Sequence, residues 1–199
     1  MKSAYCFDLD GTLTSIEILP CIASELGVAE EIATLTRVTM SGLISFEESM
    51  RLRCLILGQV PLNRVHEVVE AVPLDSSLTA FIASRRDHCF VVTGNLDVWI
   101  EPLLRRLGCR SYSSIASFDG GKLKVDHILD KGVAIGEIRA LGYERILAVG
   151  DGANDVPMLR RADAAIAFGG VHSPVPAAIK ESHFVVHDGS SLCKLLTAL

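Results

Sequence analysis

Two carboxylates stand two residues apart near the start of the chain, directly after a short apolar run. Residues 4–7 have the composition of a buried strand, and Asp8 and Asp10 follow them, with Gly11 next. Carboxylates that share a dry site repel one another, so such a pair needs a cation or a proton. The opening of the chain therefore predicts a hard metal ion and an acid-driven reaction.

Two later apolar runs also end in residues that can do chemistry. The run at 89–92 ends at Thr93, and the run at 145–149 ends in Gly150-Asp151-Gly152, with Asp155 close behind; Lys131 begins a helical pattern between them. Ligands of open parallel sheets bind beyond the carboxyl ends of the strands, so these groups are expected to converge. Carboxylates suit Mg²⁺ or attack on phosphorus, and a lysine, a hydroxyl and backbone N–H groups suit phosphate oxygens. The set predicts phosphoryl transfer.

The elements that must position these residues fall into two blocks. Helical patterns without a strand signal fill the first block, at 15–26, 29–41, 45–57 and 61–71. Thr14 and Glu17 have the spacing of a capping box, and Ser45 and Glu48 have it again. This block is predicted to be a helical lobe inserted after the first strand.

The second block alternates helices with short apolar strands. Helices are predicted at 76–86, 97–107, 131–141, 153–161, 174–181 and 190–198, and strands at 89–92, 111–118, 122–125, 145–149, 164–168 and 183–186. This alternation is typical of an α/β fold whose parallel sheet is covered on both faces.

Composition limits the possible partners. The chain has 199 residues, 49% of them apolar, and a net charge of −5. The absence of a basic run argues against nucleic acid. The six cysteines form no C-x-x-C pair, as expected in a reducing compartment. No apolar run approaches the roughly 20 residues of a membrane span, and the first strand leaves no room for a signal peptide. We expect a cytoplasmic protein that does not bind membranes.

Four motifs together resemble those of the haloacid dehalogenase superfamily. They are Phe7-Asp-Leu-Asp-Gly-Thr-Leu-Thr14, Val92-Thr-Gly-Asn95, Lys131 and Gly150-Asp-Gly-Ala-Asn-Asp-Val-Pro-Met-Leu159. The last motif and the helical insertion resemble the phosphoserine phosphatase branch. The resemblance implies a Rossmann-like parallel-sheet core, residues 1–13 and 73–199, with a small helical-bundle cap at 14–72.

The resemblance also implies roles for the acidic residues. Asp8 would be the nucleophile that forms an aspartyl-phosphate. Asp10 would be the general acid that protonates the leaving oxygen and then the base that activates water. Mg²⁺ would be bound by Asp8, Asp151 and the backbone carbonyl of Asp10, while Asp155 would orient Lys131 or the water on the metal.

The phosphate group would be held by residues of the other motifs. By the same resemblance, Thr93 and Lys131 would bind its oxygens, with Gly94 and Asn154 beside it. Thr93-Gly94-Asn95-Leu96 departs from the usual Ser-Gly-Gly-Phe, but threonine keeps the hydroxyl. Asn95 places a side chain where the family has bare backbone, so it is expected to contact the amino-acid end of the substrate. The loop 169–174 also departs from the family pattern near the rim of the site.

Four residues of the lobe fall at positions that the family uses for its substrate. Glu17 would meet the ammonium group and Arg53 the carboxylate, while Met40 and Phe46 would line the pocket. Each has a plainer alternative. Glu17 completes a capping box, Arg53 is a solvated helix cation, and Met40 and Phe46 are ordinary helix core.

The expected activity is Mg²⁺-dependent hydrolysis of a small phosphorylated metabolite, with L-phosphoserine the best single substrate. A phosphatase or phosphotransferase for another small metabolite is the alternative within the same chemistry. A phospho-accepting signalling domain is the alternative outside enzymes, and Asp10 argues against it because it favours rapid hydrolysis of the intermediate. A calcium EF-hand does not fit, since Leu13 and Leu19 stand where such a loop needs Gly and Glu. A monomer and a homodimer are both compatible with the sequence.

Overall fold

The structure is a computed structural model that describes residues 2–40 and 43–199, with the side chain of Met40 outside the described part. Its centre is a seven-stranded sheet in the order β4-β3-β2-β1-β5-β6-β7. All neighbours are parallel except the β3–β4 hairpin. The strands are β1 Ser3–Phe7, β2 Cys89–Leu96, β3 Arg110–Asp119, β4 Lys122–His127, β5 Arg145–Gly150, β6 Ala164–Phe168 and β7 Phe184–Val186. The predicted α/β fold is confirmed.

The helices flank this sheet or form the block between β1 and β2. They are α1 Ile18–Ser24, α2 Ala29–Met40, α3 Phe46–Leu57, α4 Leu62–Glu70, α5 Ser76–Ser84, α6 Asp97–Leu107, α7 Lys131–Ala140, α8 Val156–Arg161, α9 Pro176–Lys180 and α10 Gly189–Ala198. A 3₁₀ turn, Ala153–Asp155, precedes α8 and divides the helix that was predicted at 153–161.

Both faces of the sheet are buried, because successive side chains of a strand point to opposite faces. In β1, Ala4 and Cys6 pack in one apolar cluster with residues of α7 and α8. Phe7 belongs to a second cluster, which is shared with α5, α6 and α10 and continues into the helices between β1 and β2. Short strands that are apolar on both faces require helices on both sides, as the sequence pattern indicated.

The register of the sheet brings three strand ends together. In the central strand β1, Phe7 pairs with Val91 of β2 on one side and with Val149 of β5 on the other. The backbone N–H of Asp8 continues the ladder to the Val149 carbonyl at 2.9 Å. Residues that follow β1, β2 and β5 therefore lie at one edge of the sheet.

The chain passes twice between the sheet and the helices α1–α4, and the two passages pair with each other. Thr14 and Leu74 form an antiparallel bridge. Ser15 N donates to Pro73 O, and Asp75 N donates to Leu13 O, each at 2.9 Å. These bonds hold the entry to the helical block and its exit side by side.

The start of α1 differs from the prediction. The Thr14–Glu17 capping box is wrong, since the Thr14 hydroxyl accepts from Gly11 N and donates to Leu9 O. Glu17 makes no side-chain cap. Instead, Asp10 Oδ1 accepts from Ile18 N at 2.8 Å, so α1 begins at Ile18. The tight turn before it depends on Gly11, whose φ of 77° is unfavourable for other residues.

One other local prediction is confirmed. Ser45 and Glu48 form the expected capping box at the start of α3. All six cysteines are free thiols. Within the described ranges, no helix is long and apolar enough to span a lipid bilayer.

Candidate active site

Lys131 joins two carboxylates beneath the edge of the sheet. It is the first residue of α7, and its ammonium donates to Asp8 Oδ1 and, at 2.5 Å, to Asp155 Oδ1. The side chains of Lys131 and Asp155 are 1% exposed and that of Asp8 is 6% exposed. An ion pair this deep is favourable only when its hydrogen bonds are complete, so these three groups form a rigid base for the site.

The turn after β5 is folded around Asp155. Its second oxygen, Oδ2, accepts from Asp151 N at 3.0 Å and from Gly152 N at 2.8 Å. Both carboxylate oxygens of Asp155 are therefore occupied by the protein itself. The carboxylate of Asp151 is held more loosely, by the Thr12 hydroxyl at 3.3 Å, and it faces the open part of the site.

Asp10 is held apart from the Lys131 cluster. Its Oδ1 caps α1 through Ile18 N. Burial raises the pKa of Asp10 well above its usual range, and the charge of Glu17 adds to the rise. Hydrogen bonds from Ile18 and from the Asn95 side chain oppose this shift in pKa. A carboxyl group whose pKa is raised can carry a proton near neutral pH, which a general acid requires.

The charges at the sheet edge are suited to a cation. Four carboxyl groups, Asp8, Asp10, Asp151 and Asp155, lie at the sheet edge, and the ammonium of Lys131 pairs with only two of them, Asp8 and Asp155. Burial raises the pKa of Asp8, and burial together with Asp155 raises the pKa of Asp151 to about 7. Oxygens of Asp8, Asp151 and Asp155 lie within 4.8 Å of one another. Since both oxygens of Asp155 already accept hydrogen bonds from Lys131 and from the backbone, Asp8 and Asp151 are the carboxylates better placed to ligate a hard metal ion.

A cavity of about 670 Å³ opens above these residues. Its floor comes from the sheet edge and its walls from the helices α1–α3 and the loop after β6. The lining residues include Asp8, Asp10, Glu17, Thr36, Arg37, Thr39, Phe46, Met50, Arg53, Thr93, Gly94, Asn95, Asp151, Asn154, His172 and Ser173. The structure thus brings Thr93, Gly94, Asn154 and three of the predicted lobe residues into one space, while Lys131 is buried against Asp8 and does not line the cavity.

Arg53 is a buried cation that faces this cavity. It is 5% exposed, and its Nη2 donates to the Thr36 hydroxyl at 2.8 Å. Among the described residues, no carboxylate lies within 4.0 Å of its guanidinium, and Nε has no partner. Burial lowers the pKa of Arg53, which means that its charge is poorly solvated. The alternative of a solvated helix cation is therefore wrong, and an anionic group of a ligand would complete the site.

Phe46 closes the cavity over the end of β2. A Cβ placed on Gly94 would lie 2.4 Å from the Phe46 ring, so only glycine allows this approach. Next to Gly94, the Thr93 hydroxyl accepts from Asn95 N at 3.2 Å. Asn154 lines the same cavity from the turn after β5. Thr93, Gly94 and Asn154 therefore line one cavity, and their binding of a phosphate stays a prediction.

Glu17 makes a contact that the sequence did not predict. His172, in the loop after β6, places Nε2 3.2 Å from Glu17 Oε1 at the cavity rim. Arg37 and Thr36 of α2 are further lining residues that sequence reasoning missed. The local pattern around them resembles any solvated helix. Met40, predicted to line the pocket, has a side chain outside the described part of the chain.

Comparisons with known proteins agree with this geometry. The family model of the haloacid dehalogenase-like hydrolases matches residues 6–160 of this chain. The phosphoserine phosphatase of Methanocaldococcus jannaschii is 30% identical over 84% of this chain and 85% of its own length. The phosphoserine phosphatase of Halobacterium salinarum is 32% identical over 80% of this chain and 82% of its own.

A solved structure extends the similarity to three dimensions. It is described as a phospho-aspartyl intermediate analogue of phosphoserine phosphatase, with 27% identity and a TM-score of 0.81. The match covers 100% of this chain and 98% of that one. The chain therefore belongs to the haloacid dehalogenase-like hydrolase family.

Proposed function

We propose that this protein is a Mg²⁺-dependent phosphomonoester hydrolase that converts L-phosphoserine and water to L-serine and phosphate. The observation that carries the proposal is one cavity with Asp8, joined to Lys131, at its floor and, in its wall, the guanidinium of Arg53, which has no carboxylate partner among the described residues. A nucleophile with cations around it suits a phosphoryl group, and a distant guanidinium suits a carboxylate.

In the first half of the reaction, an oxygen of Asp8 attacks phosphorus and forms an aspartyl-phosphate. The bond between phosphorus and the serine oxygen breaks, and Asp10 gives its proton to that oxygen. Lys131, the Thr93 hydroxyl and the Asn154 side chain hold the phosphoryl oxygens as their charge is redistributed. The similar structure described as a phospho-aspartyl intermediate analogue supports this chemistry.

In the second half, Asp10 takes a proton from a water molecule, whose oxygen attacks phosphorus. The bond between phosphorus and Asp8 breaks, which releases phosphate and restores both carboxyl groups. Mg²⁺ bound by Asp8, Asp151 and the Asp10 carbonyl would neutralise charge on the phosphoryl oxygens. Asp155, whose oxygens are occupied by Lys131 and by backbone N–H groups, keeps Lys131 directed at Asp8.

The helices α1–α4 would serve as the cap that selects the substrate, within boundaries close to 14–72. Arg53 would bind the carboxylate of phosphoserine, Glu17 would bind its ammonium group, and Phe46 would exclude water. Met40 is proposed to line the same pocket on the family resemblance alone. Both relatives named above are phosphoserine phosphatases, which supports phosphoserine as the substrate.

A substrate panel with Arg53→Ala tests this assignment. We expect L-phosphoserine to give the highest kcat/KM among small phosphate esters that include phosphothreonine, sugar phosphates and p-nitrophenyl phosphate. Arg53→Ala should lower kcat/KM for phosphoserine about 10- to 100-fold, the usual loss for a hydrogen bond to a charged group. Activity on p-nitrophenyl phosphate, which has no carboxylate, should change much less.

Arg51→Ala is the matched control, since Arg51 lies on the same helix but is exposed and paired with Glu47. Arg51→Ala should leave kcat/KM unchanged for both substrates. If wild-type enzyme treats phosphoserine no better than p-nitrophenyl phosphate, or if Arg53→Ala affects the two equally, the substrate assignment is wrong.

A further inference from the structure

Two buried side-chain atoms lack a hydrogen-bond partner within the part of the chain that the structure describes. They are Arg53 Nε, a donor, and Asn95 Oδ1, an acceptor. Both residues are 5% exposed, and both line the cavity above Asp8. Buried polar groups are rarely left unpaired, because the loss of hydrogen bonds to water is costly. A ligand that brings an acceptor and a donor into this cavity would satisfy both.

The orientation of the Asn95 amide follows from its neighbour. Asn95 lies at the end of β2, where its backbone N–H is bound to the Thr93 hydroxyl. Its side-chain amide lies close to the carboxyl group of Asp10. The NH₂ group is the end of the amide that faces Asp10, because Asn95 lowers the pKa of that carboxyl group, and Oδ1 has no partner among the described residues. That arrangement directs Oδ1 away from Asp10 and leaves it free for a group in the cavity.

We propose that Asn95 determines specificity by accepting a hydrogen bond at Oδ1 from the ammonium group of a phosphorylated α-amino acid, while its NH₂ group holds the Asp10 carboxyl. The inference rests on the proposed function and adds to it a residue, Asn95, that recognises the substrate and also contacts the carboxyl group of Asp10, which transfers the proton. Arg53 supplies the complementary donor for the carboxylate of the same substrate.

Glu17 is the other acceptor near this end of the cavity, but its availability is different. Its Oε1 lies 3.2 Å from His172 Nε2, and its side chain is 35% exposed. An ammonium group at Glu17 must share that carboxylate with an imidazole and with water. Asn95 Oδ1 is buried and has no competing donor among the described residues. A hydrogen bond to Asn95 Oδ1 therefore distinguishes more strongly between substrates with and without an ammonium group. A buried acceptor left without a donor costs more free energy than an exposed acceptor that water can reach.

The test compares L-phosphoserine with phosphorylated 3-hydroxypropanoate, which is the same molecule without the amino group. The readout is the ratio of the two kcat/KM values. Wild-type enzyme should favour phosphoserine, and Asn95→Ala should lower the ratio about tenfold, as expected for one hydrogen bond to a charged group. Asn154→Ala, a change at another asparagine of the same cavity, should slow both substrates alike and leave the ratio unchanged.

Asn95→Asp separates the two parts of the proposal and guards against a folding defect in Asn95→Ala. It keeps the size of the side chain and an acceptor, but it replaces the NH₂ that holds Asp10. We expect the ratio to be retained and kcat to fall for both substrates, with an unchanged melting temperature.

An unchanged ratio in a folded Asn95→Ala, or an unchanged kcat in Asn95→Asp, would overturn the role of Asn95 and leave phosphoserine as the substrate. If wild-type enzyme hydrolyses other phosphate esters but does not prefer phosphoserine to its analogue without nitrogen, the proposed substrate and this inference are both wrong.

Discussion

At the scale of single residues, two carboxyl groups two positions apart are placed in different surroundings. Asp8 is bound to the ammonium of Lys131. Asp10 instead accepts from a backbone N–H at the start of α1 and lies beside a neutral amide. Burial raises the pKa of both groups, but the ammonium of Lys131 opposes this rise at Asp8, whereas the charge of Glu17 adds to it at Asp10. This difference suits Asp8 to nucleophilic attack and Asp10 to proton donation.

Asp10→Asn tests this division of roles. The amide can neither give nor take the proton, so kcat on phosphoserine should fall about 10²- to 10⁴-fold. With p-nitrophenyl phosphate, whose leaving group needs no proton, the phosphoenzyme should form and accumulate because its hydrolysis is slow. Rapid-quench measurement of bound phosphate checks both effects.

Asp119→Asn, the same change at an exposed residue that ends β3, is the control and should behave as wild type. Near-normal turnover by Asp10→Asn would contradict the acid–base role.

At the scale of elements, the position of Lys131 depends on the first turn of α7. Asp130 precedes the helix, and its Oδ1 accepts from Gly132 N at 2.7 Å and Val133 N at 3.2 Å. These bonds satisfy backbone donors that have no partner within the helix. The N-cap of α7 therefore fixes the backbone from which Lys131 extends to Asp8.

Removal of the Asp130 N-cap should weaken both stability and catalysis. We expect Asp130→Ala to lower the free energy of unfolding by about 1 kcal/mol, the typical value for a lost N-cap. Its kcat should also fall, because Lys131 is held less firmly. Asp130→Asn retains a capping oxygen and should stay close to wild type in both properties. Denaturant unfolding and steady-state kinetics measure them, and equal behaviour of the two variants would contradict the explanation.

The elements themselves were largely predictable from sequence. Short apolar runs between helical patterns predicted the strands, and the Ser45–Glu48 spacing predicted the start of α3. The prediction failed at α1, where Thr14 and Glu17 have the right spacing but Asp10 binds Ile18 N instead. A local rule cannot predict this, because side-chain oxygens compete for the same backbone donors and the folded turn decides between them.

For the site as well, features that follow from sequence patterns could be predicted, and contacts decided by the folded chain could not. The residues at strand ends could be placed together because parallel strands share an edge, and Lys131 was placed by its motif. The contacts of Glu17 with His172 and of Arg53 with Thr36 could not be predicted. They join different elements through exposed or helical segments whose patterns have no distinctive feature.

At the scale of the whole molecule, the cavity lies between the sheet edge and the inserted helices, and one of these helices is fixed to the core. His66 of α4 bonds the Val98 carbonyl of α6 at 2.7 Å, and Arg106 of α6 bonds the carbonyls of Glu70 and Val72 at 2.9 Å. We expect movements that admit substrate to involve α2 and α3 more than α4, because these bonds to the core hold α4 in place.

Binding of Mg²⁺ should stabilise the whole fold. The carboxylates at the sheet edge repel one another, and a ligand that binds only the folded state raises the free energy of unfolding, by about 2.7 kcal/mol at 100 times Kd. We expect Mg²⁺ to raise the melting temperature of wild-type protein and EDTA to reverse the effect and abolish turnover.

Asp151→Asn removes one proposed ligand and should lose most of the Mg²⁺-dependent rise, whereas Asp119→Asn should keep it. An equal rise in Asp151→Asn would show that the stabilising ion binds elsewhere.

The central claim is that Asp8 carries the phosphoryl group during turnover. Its most direct test is acid quenching of the enzyme during turnover of L-phosphoserine with Mg²⁺, followed by mass spectrometry of the peptide that contains residues 8–10. We expect phosphate on Asp8, and we expect Asp8→Asn to show neither phosphoenzyme nor turnover. Phosphate on another residue, or turnover that persists in Asp8→Asn, would contradict the account.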